Sequence, residues 1–123
     1  MELRIQESDG ILLLAPRGRI DHTNCDQFLA SIQPHVDRCS AGGVALVFDL
    51  SALEYVSSAG LRCFLLAAKQ VKPRGGIVAV AAMNPVVREI FEISHFHLVF
   101  PTFATLQEAM ARLSPDASPP DAG

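Results

Sequence analysis

The N-terminal residues alternate between apolar and polar side chains with the period of a β-strand. Residues 3–6 (LRIQ) place leucine and isoleucine on one face and arginine and glutamine on the other. Asp9-Gly10 follows, a dipeptide typical of two-residue hairpin turns, and residues 11–15 form an apolar run. This pattern predicts two antiparallel strands, and we expect residues 19–23 to approach a helix.

Apolar residues then recur every three or four positions, which predicts an amphipathic helix. Its apolar positions are Cys25, Phe28, Leu29, Ile32 and Val36. Thr23 or Asn24 can cap the start of this helix. Pro34 lacks a backbone donor, so we expect it to kink or shorten the last turns.

Beyond residue 43, apolar strand-like runs alternate with helical patterns. In chain order, the prediction is a strand over 44–50, a loop over 51–56, a helix over 58–72, a strand over 77–82, a short helix opening at 84–85, a strand over 97–100 and a helix over 105–113. Alternating β and α units favour a mainly parallel sheet. The predicted fold is one α/β domain over 1–113, with four to five strands, an antiparallel N-terminal edge strand and about four helices. Residues 114–123 (SPDASPPDAG) offer nothing to bury, so we expect a disordered tail.

Composition excludes several classes of function. The net charge of −3 provides no basic field for a nucleic-acid backbone. No apolar segment is long enough to enter and cross a bilayer, and MELRIQES lacks the pattern of a signal peptide. The three cysteines form no CxxC pair, which favours reduced thiols in a cytoplasmic protein.

Neither a metal nor a phosphate-binding cofactor is predicted. His95 and His97 would share one side of the expected last strand, but two histidines without a third ligand make a weak site. Gly42-Gly43 and Gly75-Gly76 have no following Lys-Ser/Thr, so they are turns and not phosphate loops.

Residues 49–61 (DLSALEYVSSAGL) carry the candidate site, because binding sites of α/β sheets form beyond the carboxyl ends of strands. Two serines, Ser57 and Ser58, stand at the start of the predicted helix, where either can cap it. The first helical turn has free N–H groups and a partial positive charge. A phosphate on such a hydroxyl would therefore be accepted without unfolding the helix, while adding about −1.5 to −2 charges to the surface.

Residues 49–69 (DLSALEYVSSAGLRCFLLAAK) resemble the signature of the STAS domain, in the branch of bacterial anti-sigma factor antagonists. GRIDHTN at 18–24 resembles the segment before that family's first helix. GGIVAVAAMNPVVREIFEISHF at 75–96 resembles its fourth strand and third helix. The resemblance covers residues 3–113, nearly the whole predicted domain.

The resemblance implies a non-enzymatic protein that works by partner switching. In that family the unphosphorylated antagonist binds an anti-sigma factor that is also a serine kinase. Phosphorylation of one serine releases it, and a serine phosphatase resets it. By position within SSAGL, that serine is Ser58, and Asp21 matches an acidic residue on the neighbouring loop. The partner-binding residues implied are Asp21, Ser57, Ser58, Ala59, Gly60, Leu61 and Arg62.

Two residues depart from the family's pattern. Ser57 stands where the family often has aspartate directly before the phosphorylated serine, which leaves Ser57 open as an alternative acceptor. Arg62 stands where the family often has glycine after the Gly-Leu pair. It adds a cation near the presumed docking surface, where it would tune the choice of partner.

Other interpretations of the same residues stay open at this point. Ser58 could serve only as a helix cap. The chain could also be a constitutive STAS-type scaffold subunit of a membrane transport complex, with no need for phosphorylation. Ser58, His22 and either Asp21 or Asp49 supply the residue types of a hydrolase triad, but the chain lacks G-x-S-x-G and the spacing of a nucleophile elbow.

Overall fold

The computed structural model describes residues 2–113 as a five-stranded sheet covered by helices on both faces. In chain order its elements are β1 (Leu3–Ser8), β2 (Ile11–Pro16), β3 (Gly18–Ile20), α1 (Cys25–Val36), β4 (Ala45–Asp49), β5 (Leu53–Val56), α2 (Ser58–Val71), β6 (Val78–Ala81), α3 (Pro85–Ile93), β7 (Thr102–Phe103) and α4 (Leu106–Leu113). Short 3-10 turns cover Lys72–Arg74 and Phe96–Leu98. The predicted disordered tail, 114–123, lies outside the described residues.

The sheet has the order β1-β2-β4-β6-β7, with β1 antiparallel to β2 and every other neighbour parallel. The hairpin at its edge turns through Asp9 and Gly10, which both have positive φ angles (54° and 76°). A two-residue turn with two positive φ angles matches the twist of the flanking strands, and aspartate followed by glycine suits it. The predicted α/β fold, mainly parallel sheet and antiparallel edge strand are confirmed.

Alternate residues of the central strands feed two separate apolar cores. Leu12 and Leu14 face the larger core, which is closed by α1, α2 and α3. Ile11 and Leu13 face the opposite side, where α4 packs through Ala109. The larger core holds the aromatic cluster, in which the ring of Phe64 lies 4.8 Å from the ring of Phe48 between centroids. Phe64 therefore anchors α2 to the centre of the sheet.

Two short strands were wrongly predicted as a loop and as the approach to a helix. β3 and β5 pair in parallel with each other and form a second, two-stranded sheet outside the main one, called the small sheet below. They have only three and four residues, too few for a period of two to be visible in the sequence. The predicted loop over 51–56 therefore contains β5, and the segment 19–23 begins inside β3.

The predicted last strand over 97–100 is also wrong. Phe96–Leu98 forms a 3-10 turn, and the strand that pairs with β6 is Thr102–Phe103. His95 has a φ of 59°, a left-handed conformation that ends α3 and redirects the chain. His95 and His97 therefore do not share one side of a strand.

The first helix differs in detail from the prediction. α1 continues to Val36 despite Pro34. Pro34 has no N–H to donate to the carbonyl oxygen of Ala30, and both residues lie on the exposed side of the helix. Asn24 occupies the cap position, but its side chain does not bond a helical N–H. No helix within residues 2–113 is both long and apolar enough to cross a membrane.

Candidate functional site

The parallel pairing of β3 with β5 brings the two halves of the candidate site together. Ile20, the last residue of β3, is the register partner of Val56, the last residue of β5. The backbone N–H of Ser57 then donates to the carbonyl oxygen of Ile20 at 2.9 Å. The turn that begins with Asp21 and the start of α2 therefore leave the small sheet at the same end.

Ser57 caps the start of α2. Its Oγ accepts a hydrogen bond from the backbone N–H of Gly60 at 3.3 Å, and its carbonyl oxygen accepts from Leu61 at 2.8 Å. Ser57 has an extended backbone and is half-buried. The capping role that the sequence left open between two serines thus belongs to Ser57.

Ser58 is the first helical residue of α2, and its side chain is exposed. None of the side-chain hydrogen bonds found among residues 2–113 uses its hydroxyl, so the capping interpretation of Ser58 is wrong. The residue lies in the first turn, where free backbone N–H groups and the helix dipole favour negative charge. Its surroundings suit a phosphate that projects into solvent.

Gly60 allows α2 to approach the small sheet closely. A Cβ atom at this position would lie 2.6 Å from Cγ2 of Val56 and 2.8 Å from both Cγ2 and the carbonyl oxygen of Ile20. Side chains do not tolerate such contacts without a shift of backbone. Gly60 therefore sets the distance between the Ser57–Ser58 segment and β3.

Asp21 organises the turn between β3 and α1. Its carboxylate accepts hydrogen bonds from the backbone N–H and the hydroxyl of Thr23, and its own N–H donates to Oδ1 of Asn24 at 2.9 Å. The hydrogen bond from the Thr23 side chain is the main reason why the pKa of Asp21 lies below its usual value, since bonds to the charged form stabilise it. Asn24 closes the turn by donating from Nδ2 to the carbonyl oxygen of Arg19 at 2.8 Å.

A thiol joins the two helices behind this turn. The Sγ of Cys63 on α2 donates to the carbonyl oxygen of Cys25, the first residue of α1, at 3.2 Å. Burial raises the pKa of Cys63 to about 11, so the thiol stays protonated and can serve as a donor. This contact ties the first turn of α1 to the second turn of α2.

The remaining predicted site residues differ in how far their side chains are exposed to solvent. Arg62 is exposed and Ala59 is half-buried, whereas Gly60 and Leu61 are buried, with Leu61 packed in the larger core. The two buried residues can influence a partner only through the shape of α2. Arg62 is thus the exposed cation closest in sequence to Ser58.

The residue types of the proposed hydrolase triad do not assemble. Within residues 2–113 no hydrogen bond joins His22 to Ser58, and the Asp21 carboxylate is occupied by Thr23. Asp49 accepts from the backbone N–H of Ser51 at 3.1 Å. Over the same residues, no group of three or more His, Cys, Asp or Glu side chains is arranged to hold a metal ion.

The sequence did not reveal the contacts that hold β3 in place. The guanidinium of Arg19 lies 4.5 Å above the ring centroid of its register partner Tyr55. Asn24, one of the two residues predicted as able to cap α1, bonds backward to Asp21 and Arg19 instead. Gly60 in the first turn of α2 is the sequence feature that reflects the close approach of α2 to Ile20 of β3.

Comparison with known proteins places this geometry in a family. The model of the STAS domain family matches residues 2–109. A protein of Bordetella bronchiseptica named "Putative anti-sigma factor antagonist BtrV" is 39% identical over 119 residues, which make up 97% of this chain and 99% of that protein.

Solved structures have the same fold. An anti-sigma factor antagonist from Mycobacterium paratuberculosis superposes with a TM-score of 0.81 and 25% identity, covering 91% of this chain and 92% of that one. SpoIIAA in its unphosphorylated form gives a TM-score of 0.76 and 19% identity, covering 95% of this chain and 100% of that one. The second likeness is evidence for the fold alone.

Proposed function

Because this chain belongs to the STAS domain family, in its branch of bacterial anti-sigma factor antagonists, we propose that it acts by partner switching. The unphosphorylated form binds an anti-sigma factor that is also a serine kinase. Phosphorylation of Ser58 releases that partner, and a serine phosphatase restores binding. The chain itself catalyses no reaction, needs no cofactor and works in the cytoplasm.

The observation that carries this proposal is that two adjacent serines have different roles in the structure. Ser57 caps α2 with its hydroxyl, while the hydroxyl of Ser58 is exposed and free of any role in the hydrogen bonds of residues 2–113. A phosphate on Ser58 adds about −1.5 to −2 charges beside the helix without removing the cap. The modification would therefore change binding and leave the fold in place.

The same difference favours Ser58 over Ser57 as the residue that accepts the phosphate. A kinase must bring the hydroxyl oxygen into its own active site, and Ser57 is half-buried with its Oγ bonded to the N–H of Gly60. Modification of Ser57 would require that bond to break or lengthen. Ser58 presents its oxygen without such a cost.

The proposed docking surface surrounds Ser58 at the end of the small sheet. It comprises Ser58, Ala59 and Arg62 from α2 together with Asp21 from the neighbouring turn, on a frame set by Gly60. Structures of SpoIIAA, which has the same fold, exist for an unphosphorylated and for a phosphorylated form. They support the idea that this fold can carry a phosphate and stay folded.

A capture experiment tests the proposal. The wild type, Ser58→Ala and Ser58→Asp would be used as baits in a native lysate of the source organism, and bound proteins identified by mass spectrometry. Ser31→Asp is the matched control, because it adds the same charge at an exposed serine on α1. We expect an anti-sigma factor with a kinase domain on the wild type, Ser58→Ala and Ser31→Asp, and none on Ser58→Asp.

Phosphate mapping completes the test. With ATP, the captured kinase should add one phosphate to the wild type, at Ser58, and none to Ser58→Ala. Capture by Ser58→Asp equal to that of the wild type would count against the proposal, and co-purification with a transporter subunit would favour a scaffold role. A phosphate found at Ser57 would move the acceptor by one residue.

A further inference from the structure

Arg62 lies one helical turn after Ser58 on the same face of α2. Residues four apart in a helix are surface neighbours, and both side chains are exposed. Side chains of a helix generally lean toward its N-terminus, and Ser58 lies on that side of Arg62. A group attached to the Ser58 hydroxyl would extend into the space that the guanidinium can reach.

The guanidinium of Arg62 has no fixed partner among residues 2–113. The two ion pairs found there join Arg17 to Glu2 and Arg38 to Glu7, both on other parts of the surface. No hydrogen bond of the described residues uses the Arg62 side chain either. It is therefore available to a new anion on its own helix.

Other charged groups near this face have different roles or lie on other elements. The Asp21 carboxylate is bonded within its own turn by Thr23, and the guanidinium of Arg19 lies over Tyr55. His22 is exposed beside Asp21. On α1, the charge of Asp26 raises the pKa of the Cys63 thiol, whereas the charge of Arg62 lowers it. These groups form the electrostatic background against which the effect of Arg62 must be measured.

We propose that Arg62 is the intramolecular counter-ion of a phosphate on Ser58. The inference rests on the proposed function, since it concerns the modified state of the same serine. A guanidinium offers two parallel N–H donors that match phosphate oxygens. An acidic group four residues before a basic one is also the more favourable orientation of such a pair on a helix.

This pairing makes the switch act through two groups at once. In the unmodified chain, Arg62 is a free cation on the docking surface. After phosphorylation, its guanidinium turns to the phosphate, so the partner meets a new anion and loses access to a cation. Both changes weaken the binding of a partner that places an acidic group against Arg62.

The test measures the ionisation of the phosphate directly. Phosphoserine would be installed at position 58 during translation, so no kinase is needed. The second pKa of its phosphate would then be followed by phosphorus NMR between about pH 4 and 8. This range extends on the order of two pH units on either side of the usual value near 6. A pair of this type lowers the pKa by about 0.3 unit, so Arg62→Gln should raise it by that amount. Arg62→Lys should retain most of the effect.

Lys69→Gln provides the matched control. Lys69 is exposed on the same helix, about two turns farther from Ser58, so its loss removes the same charge and should leave the phosphate pKa unchanged. Equal pKa values in the wild type and Arg62→Gln would overturn the inference, as would an equal shift in Lys69→Gln. Because the phosphate is installed without a kinase, this outcome is independent of whether the kinase acts on Ser58.

Discussion

At the scale of single residues, Gly60 is the position where the geometry of the site depends most on one side chain. A methyl group there would overlap Val56 and the backbone oxygen of Ile20. We expect Gly60→Ala to lower the free energy of unfolding by about 1–3 kcal/mol, as overpacking of a well-packed contact does. Urea unfolding followed by circular dichroism measures the loss.

Gly42→Ala is the control for this substitution. No atom lies within 4 Å of a Cβ placed at Gly42, which is in an exposed turn. Its replacement should change stability by less than about 0.5 kcal/mol. Equal stability of Gly60→Ala and Gly42→Ala would show that α2 does not need the close approach described above.

The two serines should differ in what they contribute to stability. Ser57→Ala removes the cap bonded to Gly60, and we expect a loss of about 1 kcal/mol. Ser58→Ala removes a hydroxyl without a partner among residues 2–113, so its stability should stay within about 0.5 kcal/mol of the wild type. Thermal unfolding of both variants in one buffer gives the comparison, and the reverse order would show that Ser58 is the cap.

The sequence alone could not assign these two roles. Adjacent serines at a helix start have the same capping propensity, and the backbone conformation decides which hydroxyl turns inward. Here the bond from the Ser57 N–H to Ile20 fixes that conformation. Since Ile20 belongs to a strand that was not predicted, the assignment needed the structure.

At the scale of elements, the turn between β3 and α1 depends on the charge of Asp21. The pKa of Asp21 is lower in the folded chain than its ordinary value. The carboxylate therefore stabilises the fold above its unfolded pKa of about 4, and this contribution disappears as the pH falls through the lower folded pKa. Near pH 7, on the order of three units above the usual aspartate pKa, Asp21→Asn should thus be less stable than the wild type. This difference in stability should shrink as the pH is lowered.

Urea unfolding of the two proteins across this pH range measures the effect. Glu54→Gln, which neutralises an exposed carboxylate on β5, is the control. It should follow the wild type at each pH. A constant difference between Asp21→Asn and the wild type down to acidic pH would mean that the hydrogen-bonding shape of the turn, and not its charge, stabilises it.

The contact between α1 and α2 predicts unequal thiol reactivity. Cys63 and Cys39 are buried, and burial raises the pKa of each thiol, whereas Cys25 is partly exposed. In the native chain at neutral pH, we expect a thiol reagent such as Ellman's reagent to modify Cys25 first. In urea all three should react alike, and rapid native modification of Cys63 would contradict the described packing.

The elements that the sequence predicted well are those with a repeated pattern. The apolar stripe of α2 and the apolar run of β4 extend over enough residues to show their period. β3 and β5 are too short for that, and each is stabilised by pairing with the other across more than thirty residues of chain. The sequence wrongly predicts a strand over 97–100, where the 3-10 turn Phe96–Leu98 lies, because a short apolar segment fits either structure.

At the scale of the whole molecule, the proposed site lies on a part of the fold that a phosphate on Ser58 would not touch. α2 is anchored by Phe64 in the aromatic cluster, and its start is held by Gly60 and the Ser57 cap. We therefore expect the thermal midpoint of Ser58→Asp to lie within a few degrees of the wild type, because an acidic residue in the first turn changes stability by about 0.3–1 kcal/mol. Calorimetric scans of both proteins measure it, and a large fall would mean that Ser58 supports the fold.

The most direct measurement is the affinity of one anti-sigma factor for two forms of this chain, unmodified and with phosphoserine at position 58, by isothermal titration calorimetry. We predict that the phosphate weakens binding by at least about tenfold, or roughly 1.4 kcal/mol, while circular dichroism spectra of the two forms coincide. Equal affinities of two well-folded forms would contradict the proposed switch at Ser58.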